Sequence, residues 1–309
     1  MGVSLSLSAR YAVAAASVKN AFGSRKPQLS LLSDFGNGDE AVYAMKSAAR
    51  SIAPGLGIED VCHNVPLGNV LLGAWRLQRA AALQTERPGT AYAAVVDPGV
   101  GAGRKNIIVK MGDGRYLVGP DNGVLSLAFS GTGIERAVEI QNPALTLLHL
   151  ARSRTFHGKD VFAPAAAHLL RGVPLKEFGR ELDESELARI SISAESTEKS
   201  RSGYLVDIDG FGSIRTNVPN HVPEQVLGKF VDFEISGPVA LKASARVVRT
   251  FAEAGLGEAV FVLSSTGCLD LAINLGSASQ AFGILPGHIT VDSALRPENR
   301  ISIDLSGAH

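Results

Sequence analysis

The stretch AYAAVVDPGVGAGRK, residues 91–105, indicates both the fold class and a candidate site. Its first six residues are apolar, which predicts a buried β-strand. The strand ends at Asp97, three glycines follow, and Arg104 stands just before a second apolar run. The stretch therefore places an acid and a guanidinium seven residues apart at the end of a buried strand.

Outward from this strand, short apolar runs alternate with amphipathic segments. An apolar run at 29–32 and short β-like runs at 57–62 and 115–119 predict further strands. Residues 40–52, 68–83 and 160–172 predict helices, with Asp39 and Asp160 as the N-caps of the first and the last. Strands that alternate with helices are typical of an α/β fold, with a mainly parallel sheet flanked by helices.

The chain is predicted to contain two domains. Residues 28–180 form the α/β domain, and the polar segment 181–200 is interpreted as a linker. Residues 201–309 carry short alternating β-branched runs between glycine turns, which predict a smaller all-β domain, a barrel or a sandwich. Residues 1–27 hold four basic residues and no acid. We expect an unstructured or weakly helical extension in a cytoplasmic protein, and an organellar or export signal is the alternative.

Composition excludes several classes of function. Lys plus Arg and Asp plus Glu both number 30, so no excess of positive charge indicates nucleic acid or a membrane surface. Two cysteines far apart indicate neither a disulfide framework nor a zinc site. No apolar run approaches the roughly 18 residues of a membrane span. We therefore predict no metal, no nucleic acid and no membrane partner.

The glycine-rich loop does not match a phosphate-binding motif. The Walker pattern needs Gly before Lys and Ser or Thr after it, whereas Lys105 lies between Arg104 and Asn106. The dinucleotide motif fails because a strand, not a helix, follows the glycines. On the residues alone, Asp97 and Arg104 form either a site or an ordinary surface ion pair.

Polar residues follow three predicted strands, at Ser33 and Asp34, at Asp97, and at Asp121 and Asn122. Ligands of open α/β sheets bind beyond the carboxyl ends of the strands, so these residues predict a polar rim. His157 lies in TFHGKD, just before a predicted helix. The positive end of that helix would favour neutral imidazole, which could orient a water molecule.

Several motifs together carry a family resemblance. They are, in chain order, SDFGNGD, VCHNVP, VDPGVGAGRK, VGPDNG, TFHGKD, IDGFGSIRTNV and LDLAINLGSA, between residues 33 and 278. In this order they resemble the S-adenosyl-L-methionine (SAM) hydroxide adenosyltransferases, the SAM hydrolases related to fluorinase and chlorinase. The resemblance implies an α/β N-terminal domain, a C-terminal β-barrel, and a homotrimer with the substrate between neighbouring subunits. It also implies hydrolysis of SAM to adenosine and L-methionine without a cofactor.

The resemblance also implies roles for individual residues. Asp97, Arg104 and His157 match the family's catalytic triad, and Asp34 matches the acid that binds both ribose hydroxyls. In the second domain the substrate-binding residues would hold the methionine amino group, the methionine carboxylate and the adenine. They are Asp209, Ser213, Ser265, Asn274 and Leu275. Ser213 replaces the family's usual Asn, and Leu67 and Asn69 replace family residues in a loop that covers the ribose.

The triad implies a mechanism, with two rivals. A guanidinium held against a water molecule favours its hydroxide form, and the hydroxide would displace methionine from ribose C5′. Halogenases of the family lack the Asp–Arg pair and have Tyr-Ser where this chain has His157 and Gly158. Retention of the triad favours water over halide as the nucleophile. A non-catalytic sensor of SAM or adenosine is the other alternative.

Overall fold

The computed structural model describes residues 27–38, 40–83, 89–148, 150 and 155–309. The chain divides into two compact units, one up to Arg189 and one from Ile190 to His309. Asp39, predicted as a helix cap, and the predicted extension before Pro27 lie outside the described residues.

A seven-stranded sheet with the order β2-β1-β3-β5-β4-β6-β7 forms the first unit. Strands β2, β1, β3 and β5 pair in parallel, and β4, β6 and β7 add antiparallel pairs. The strands are β1 Gln28–Ser33, β2 Gly57–Cys62, β3 Thr90–Val95, β4 Asn106–Met111, β5 Tyr116–Pro120, β6 Ile134–Glu139 and β7 Glu181–Leu182. The parallel strands lie where the alternating pattern predicts them.

Helices flank this sheet. They are α1 Glu40–Ile52, α2 Val70–Leu83, α3 Ser126–Thr132 and α4 Ala163–Leu170, with a π-helical turn at Gly158–Phe162 and 3₁₀ turns at Pro143–Leu145, Leu175–Glu177 and Glu184–Glu186. Met45 and Ala49 of α1 join the same core as Leu29 and Leu31 of β1. No helix in the described part of the chain is long and apolar enough to cross a membrane.

The prediction of Asp160 as a helix cap is wrong. The helical segment begins earlier, at Gly158. The backbone N–H of Asp160 donates to the Phe156 carbonyl at 3.0 Å, and its buried carboxylate pairs with Lys159. The cause is the π-helical turn, whose wider backbone pattern the sequence spacing does not reveal.

Strand order brings two of the predicted polar loops together. β1 lies between β2 and β3 and is parallel to both. The residues that follow β1 and β3 therefore emerge at the same edge of the sheet. Every residue of β3 is buried, as expected for a parallel strand covered on both faces. Asp34 and Asp97 follow these two strands.

The sheet of the second unit is closed, so of the two predicted architectures this unit has the barrel and not the sandwich. Its strand order is β10-β14-β13-β12-β11-β15-β9-β8, and β10 also pairs with β9. That pairing closes β9 to β15 into a barrel of seven strands. The strands are β8 Glu195–Ser196, β9 Ser200–Ile208, β10 Ile214–Pro219, β11 Phe230–Ser236, β12 Leu241–Val248, β13 Ala259–Leu263, β14 Cys268–Ile273 and β15 Arg300–Asp304. Short helical segments are α5 Ala278–Ala281 and the 3₁₀ turns Glu224–Val226, Phe251–Glu253 and Pro286–His288.

The segment predicted as a linker, 181–200, contributes to both sheets. β7 pairs with β6 at the edge of the first sheet, and β8 pairs with β9 outside the barrel. The change from one compact unit to the other falls between Arg189 and Ile190.

Candidate active site

A cavity of about 450 Å³ lies at the sheet edge where β1 and β3 end. Asp34 and Asp97 line it together with His157 and Gly158. Leu67 lines it too and is 91% exposed. Parallel pairing of β1 with β3 accounts for the first two residues, and the start of the π-helical turn supplies His157.

Asp97 and Arg104 form a bidentate ion pair. Arg104 Nε donates to Asp97 Oδ1 at 2.9 Å, and Arg104 Nη2 donates to Asp97 Oδ2. The loop between them turns at Gly101 and Gly103, whose φ angles of +82° and +85° suit glycine. Only 6% of the Asp97 side chain and 12% of the Arg104 side chain are exposed. The pair is therefore largely buried, unlike an ordinary surface ion pair.

Arg104 has contacts on its other sides as well. Its Nη1 donates to Asn106 Oδ1 and to the Lys105 carbonyl, the latter at 3.3 Å. Its guanidinium carbon lies 5.4 Å from the centre of the Phe162 ring. The Asp97 carboxylate, the Asn106 amide and the Phe162 ring surround the guanidinium and hold it in one position. A charge that is fixed in this way is preorganised to stabilise a transition state.

His157 is joined to this cation. Arg104 Nη2 lies 3.0 Å from His157 Nδ1. A guanidinium can only donate, so Nδ1 is the acceptor and the ring proton of neutral His157 lies on Nε2. Burial lowers the pKa of His157, Arg104 lowers it further, and Asp97 and Asp160 oppose them. The neutral ring predicted from the sequence is thus favoured, chiefly by burial and by Arg104.

Asp34 is fixed by a backbone donor. Its Oδ2 accepts the N–H of Gly68 at 2.8 Å, and Gly68 has a φ of +69°. Burial raises the pKa of Asp34, and the nearby Asp97 adds to the rise, although the Gly68 bond opposes it. The carboxylate retains acceptor capacity for hydroxyl donors in the cavity.

A hydrogen-bond chain behind Asp34 was not predicted from the sequence. Ser33 Oγ lies 2.7 Å from His63 Nδ1, and both residues are buried. His63 Nε2 lies 3.1 Å from Asp60 Oδ1, and Lys46 donates to Asp60 Oδ2 at 2.6 Å. Ser33 directly precedes Asp34, so these linked hydrogen bonds stabilise the loop that carries Asp34, the candidate ribose-binding residue.

Two predicted loop residues have other roles. Asp121 binds Lys105 at 3.4 Å and the backbone N–H of Ala188 at 2.8 Å, outside the cavity lining. Asn122 Nδ2 donates to the Val96 carbonyl at 2.8 Å. The cavity is therefore lined at two of the three predicted strand ends, because the side chains that follow β5 are engaged by these other partners.

Asn69 also has a structural role. It is buried, and its Oδ1 accepts the backbone N–H of Leu72 at 3.1 Å at the start of α2. This bond is an N-cap interaction. Leu67, two residues earlier, is the residue of this pair that lines the cavity.

The second unit has a cavity of about 950 Å³. All the residues predicted to bind substrate in this domain line it: Asp209, Ser213, Ser265, Asn274 and Leu275. Leu275 has a φ of +55°, which is unusual for a bulky residue and is often found at functional sites. The Asn274 amide donates to the carbonyls of Ala254 and Gly255 at 2.8 and 3.3 Å, so its amino group fixes a loop beside this cavity.

Metal ligands are not clustered in either unit. Among the described residues, no group of three or more His, Cys, Asp or Glu side chains could hold a metal ion. Cys62 and Cys268 are both free thiols.

Comparison with known families decides the relationship. Residues 29–179 match the SAM hydroxide adenosyltransferase N-terminal domain, and residues 203–290 match the C-terminal domain of the same family. The chain belongs to the SAM hydroxide adenosyltransferase family.

Relatives in this family carry two kinds of name. The (R)-S-adenosyl-L-methionine hydrolase of Thermus thermophilus is 36% identical over 83% of this chain and 95% of its own length. The hydrolase of the same name from Salinispora tropica is 34% identical over 84% and 95%. The fluorinase of Nocardia brasiliensis is 27% identical over 85% and 95%. The crystal structure of an uncharacterized conserved protein from Thermotoga maritima aligns with a TM-score of 0.75 at 31% identity, over 89% of this chain and 99% of the other.

Proposed function

We propose that this protein hydrolyses SAM to adenosine and L-methionine. The observation that carries the proposal is the Arg104 guanidinium, held by Asp97 and bonded to neutral His157 beside the cavity that Asp34 also lines. The hydrolase names of relatives at 34% and 36% identity support it.

The reaction is a displacement at the ribose C5′. The oxygen of a water molecule forms a bond to C5′ while the bond from C5′ to sulfur breaks. The bonding electrons pass to the sulfonium, which leaves as the neutral thioether of methionine, and one proton is released. Because the leaving group is already activated, the protein has to supply a positioned nucleophile and needs no cofactor for this step.

Arg104 and His157 divide that task. The fixed positive charge of Arg104 lowers the cost of developing hydroxide character on the water. His157, with its ring proton on Nε2, donates to the water oxygen and directs a lone pair at C5′. Asp97 keeps Arg104 in place and retains lone pairs that can accept the proton of the water.

Asp34 binds the ribose in this proposal. A carboxylate offers two acceptor oxygens to the neighbouring 2′ and 3′ hydroxyls. Burial raises the pKa of Asp34, and the ionised form is the one that accepts both hydroxyl hydrogens. The site then holds the sugar on one side and the nucleophile on the other.

Incubation of the purified protein with SAM tests the proposal. Chromatography should show adenosine and methionine in equal amounts, with and without chloride or fluoride. A halide-dependent 5′-halo-5′-deoxyadenosine would favour halogenation, and binding without any product would favour a sensor.

Because the relatives are named for the (R) epimer at sulfur, we also propose preference for (R)-SAM. Separate (R) and (S) preparations test it, and equal rates would contradict it.

Self-association is part of the proposal. Phe211 and Leu275, which line the second cavity, are 87% and 88% exposed, and Leu67 at the first is 91% exposed. Exposed apolar side chains at binding cavities indicate surfaces that become covered. We propose a homotrimer, with substrate bound at subunit interfaces in a cytoplasmic protein. Light scattering should give three times the monomer mass, and a monomeric mass at assay concentration would contradict it.

A further inference from the structure

Lys105 lies outside the lining of the first cavity but contacts Arg104 through its backbone. The Lys105 carbonyl accepts Arg104 Nη1 at 3.3 Å and the backbone N–H of Asp121 at 2.9 Å. The second of these bonds extends the antiparallel pairing of β4 with β5, which begins with Asn106 opposite Pro120. One side of the Arg104 guanidinium is therefore held by a peptide group at the end of the sheet.

The Lys105 side chain joins this peptide group to a more distant part of the chain. Its Nζ lies 3.4 Å from Asp121 Oδ2 and donates to the Glu186 carbonyl at 3.0 Å. Asp121 Oδ1 accepts the backbone N–H of Ala188 at 2.8 Å. Only 6% of the Asp121 side chain is exposed, against 30% of the Lys105 side chain. A largely buried carboxylate thus binds the ammonium group and the backbone of the same segment.

That segment, residues 183–189, is the last part of the first unit, and the second unit begins directly after it. Other contacts hold the segment on the first unit. The Glu186 carboxylate accepts two hydrogen bonds from Arg180, at 2.9 and 3.1 Å. The Arg189 guanidinium carbon lies 4.8 Å from the centre of the Phe129 ring on α3. The segment can therefore serve as a fixed support for the Lys105 side chain.

We propose that Lys105 and Asp121 are positioning residues for Arg104, because they fasten the peptide group that Arg104 contacts to the segment 183–189. Loss of Lys105 leaves the Asp121 carboxylate buried with an uncompensated charge, and its surroundings must shift to relieve it. A displacement of about 1 Å in a reacting group can cost about a hundredfold in rate. The inference rests on the proposed function, in which Arg104 acts on the nucleophilic water.

Replacement of the ammonium group tests the role of Lys105. Lys105→Met keeps most of the aliphatic chain and removes the charge. We expect kcat for SAM to fall by roughly 10- to 100-fold with little change in KM, because Asp34, the candidate ribose-binding residue, is held by Gly68 instead. Lys105→Arg should restore part of kcat, because it keeps a positive charge beside Asp121.

Lys110→Met is the matched control. Lys110 lies toward the other end of the same strand, β4, and its side chain is 28% exposed. Its Nζ pairs with Glu135 at 2.6 Å. The control therefore removes a lysine of similar exposure from an ion pair on the same strand. Its kcat should stay at the wild-type value.

A double-mutant cycle separates the positioning of Arg104 from a general structural effect. If Lys105 acts through Arg104, Lys105→Met should change kcat little in the Arg104→Met background. A loss that is equally large in both backgrounds would overturn the inference. A wild-type kcat in Lys105→Met alone would overturn it too.

NMR titration of the His157 ring tests the inference without turnover. Arg104 is one of the groups that lower the pKa of His157, so displacement of the guanidinium should raise that pKa. Asp121→Ala is the decisive variant, because loss of a negative charge by itself would lower the pKa instead. We expect a rise toward 6.5, and an unchanged or lower pKa would overturn the inference. If wild type does not hydrolyse SAM, the proposed function fails, and this titration decides the inference alone.

Discussion

Arg104 is a cation whose neighbours limit where it can point. Asp97 takes two of its N–H groups, Asn106 takes another, and Phe162 covers one face. A charge fixed before the reaction stabilises the transition state without reorganising. At the scale of single residues, we therefore expect the rate to depend on Arg104 and the affinity to depend on Asp34.

Replacing Arg104 tests the first half of that division. Arg104→Met should lower turnover by about a hundredfold or more, typical for loss of one preorganised charge, while calorimetry still detects SAM binding. Arg136→Met is the control, because Arg136 forms a similar bidentate pair with Glu181 at an exposed position. Turnover of Arg104→Met near that of the control would show that Arg104 does not act on the nucleophile.

The pH dependence of activity tests the state of His157. Burial and Arg104 hold its pKa below the usual 6.5, so the ring stays neutral until the pH falls below that value. The acid limb of kcat/KM should therefore lie below pH 6.5, and the NMR titration of the ring should move with it. An acid limb at or above 6.5 that disappears in His157→Gln would contradict the neutral role.

At the scale of elements, the edge formed by β1 and β3 positions the site. Parallel pairing places Asp34 and Asp97 at one edge, and the chain from Ser33 through His63 to Asp60 stabilises the loop after β1. Ser33 also accepts the Phe35 N–H at 3.4 Å. We interpret Ser33 and His63 as positioning residues that act through Asp34.

Removal of the Ser33 hydroxyl tests this interpretation. Ser33→Ala leaves the buried His63 nitrogen without its partner, a cost of about 1–3 kcal/mol. We expect KM for SAM to rise by about tenfold with kcat little changed, and Ser33→Thr to restore most of the affinity. Ser51→Ala removes a hydroxyl that bonds the Ala48 carbonyl on α1 at 2.8 Å and is the control. A fall in kcat with no change in KM would contradict the interpretation.

Much of this edge was predictable and part of it was not. The apolar run before Asp97 and the alternation around it predict β3 and its neighbours, because burial on both faces leaves a continuous apolar signal. Asp160 was misassigned because its segment begins with a π-helical turn. The Ser33–His63 bond joins residues 30 positions apart, and local periodicity carries no signal for such a contact.

At the scale of the whole molecule, one buried acid links stability to pH. Burial raises the pKa of Asp270 from 3.8 to about 6, with Asp209 adding to the rise and Ser264 and Arg215 opposing it. The folded state thus binds a proton more tightly than the unfolded state. Ionised Asp270 lowers the free energy of unfolding above pH 6 by about 3 kcal/mol, at roughly 1.4 kcal/mol per pKa unit. The penalty disappears below pH 3.8.

Asp270→Asn should therefore gain stability relative to wild type as the pH rises from about 4 to about 7. Urea unfolding at both pH values, at equal protein concentration, measures the change. Asp292→Asn should show the opposite trend, because backbone bonding to Arg296 and other contacts lower the pKa of Asp292. A difference between wild type and Asp270→Asn that does not vary with pH would mean that Asp270 has an ordinary pKa.

The origin of the 5′ oxygen of adenosine shows whether water is the nucleophile at C5′. A single turnover of SAM in ¹⁸O-labelled water, followed by mass spectrometry of both products, measures it. Attack of water at C5′ predicts one labelled oxygen in adenosine and none in methionine. Unlabelled adenosine, or label in the amino acid, would contradict the mechanism that we assign to Asp97, Arg104 and His157.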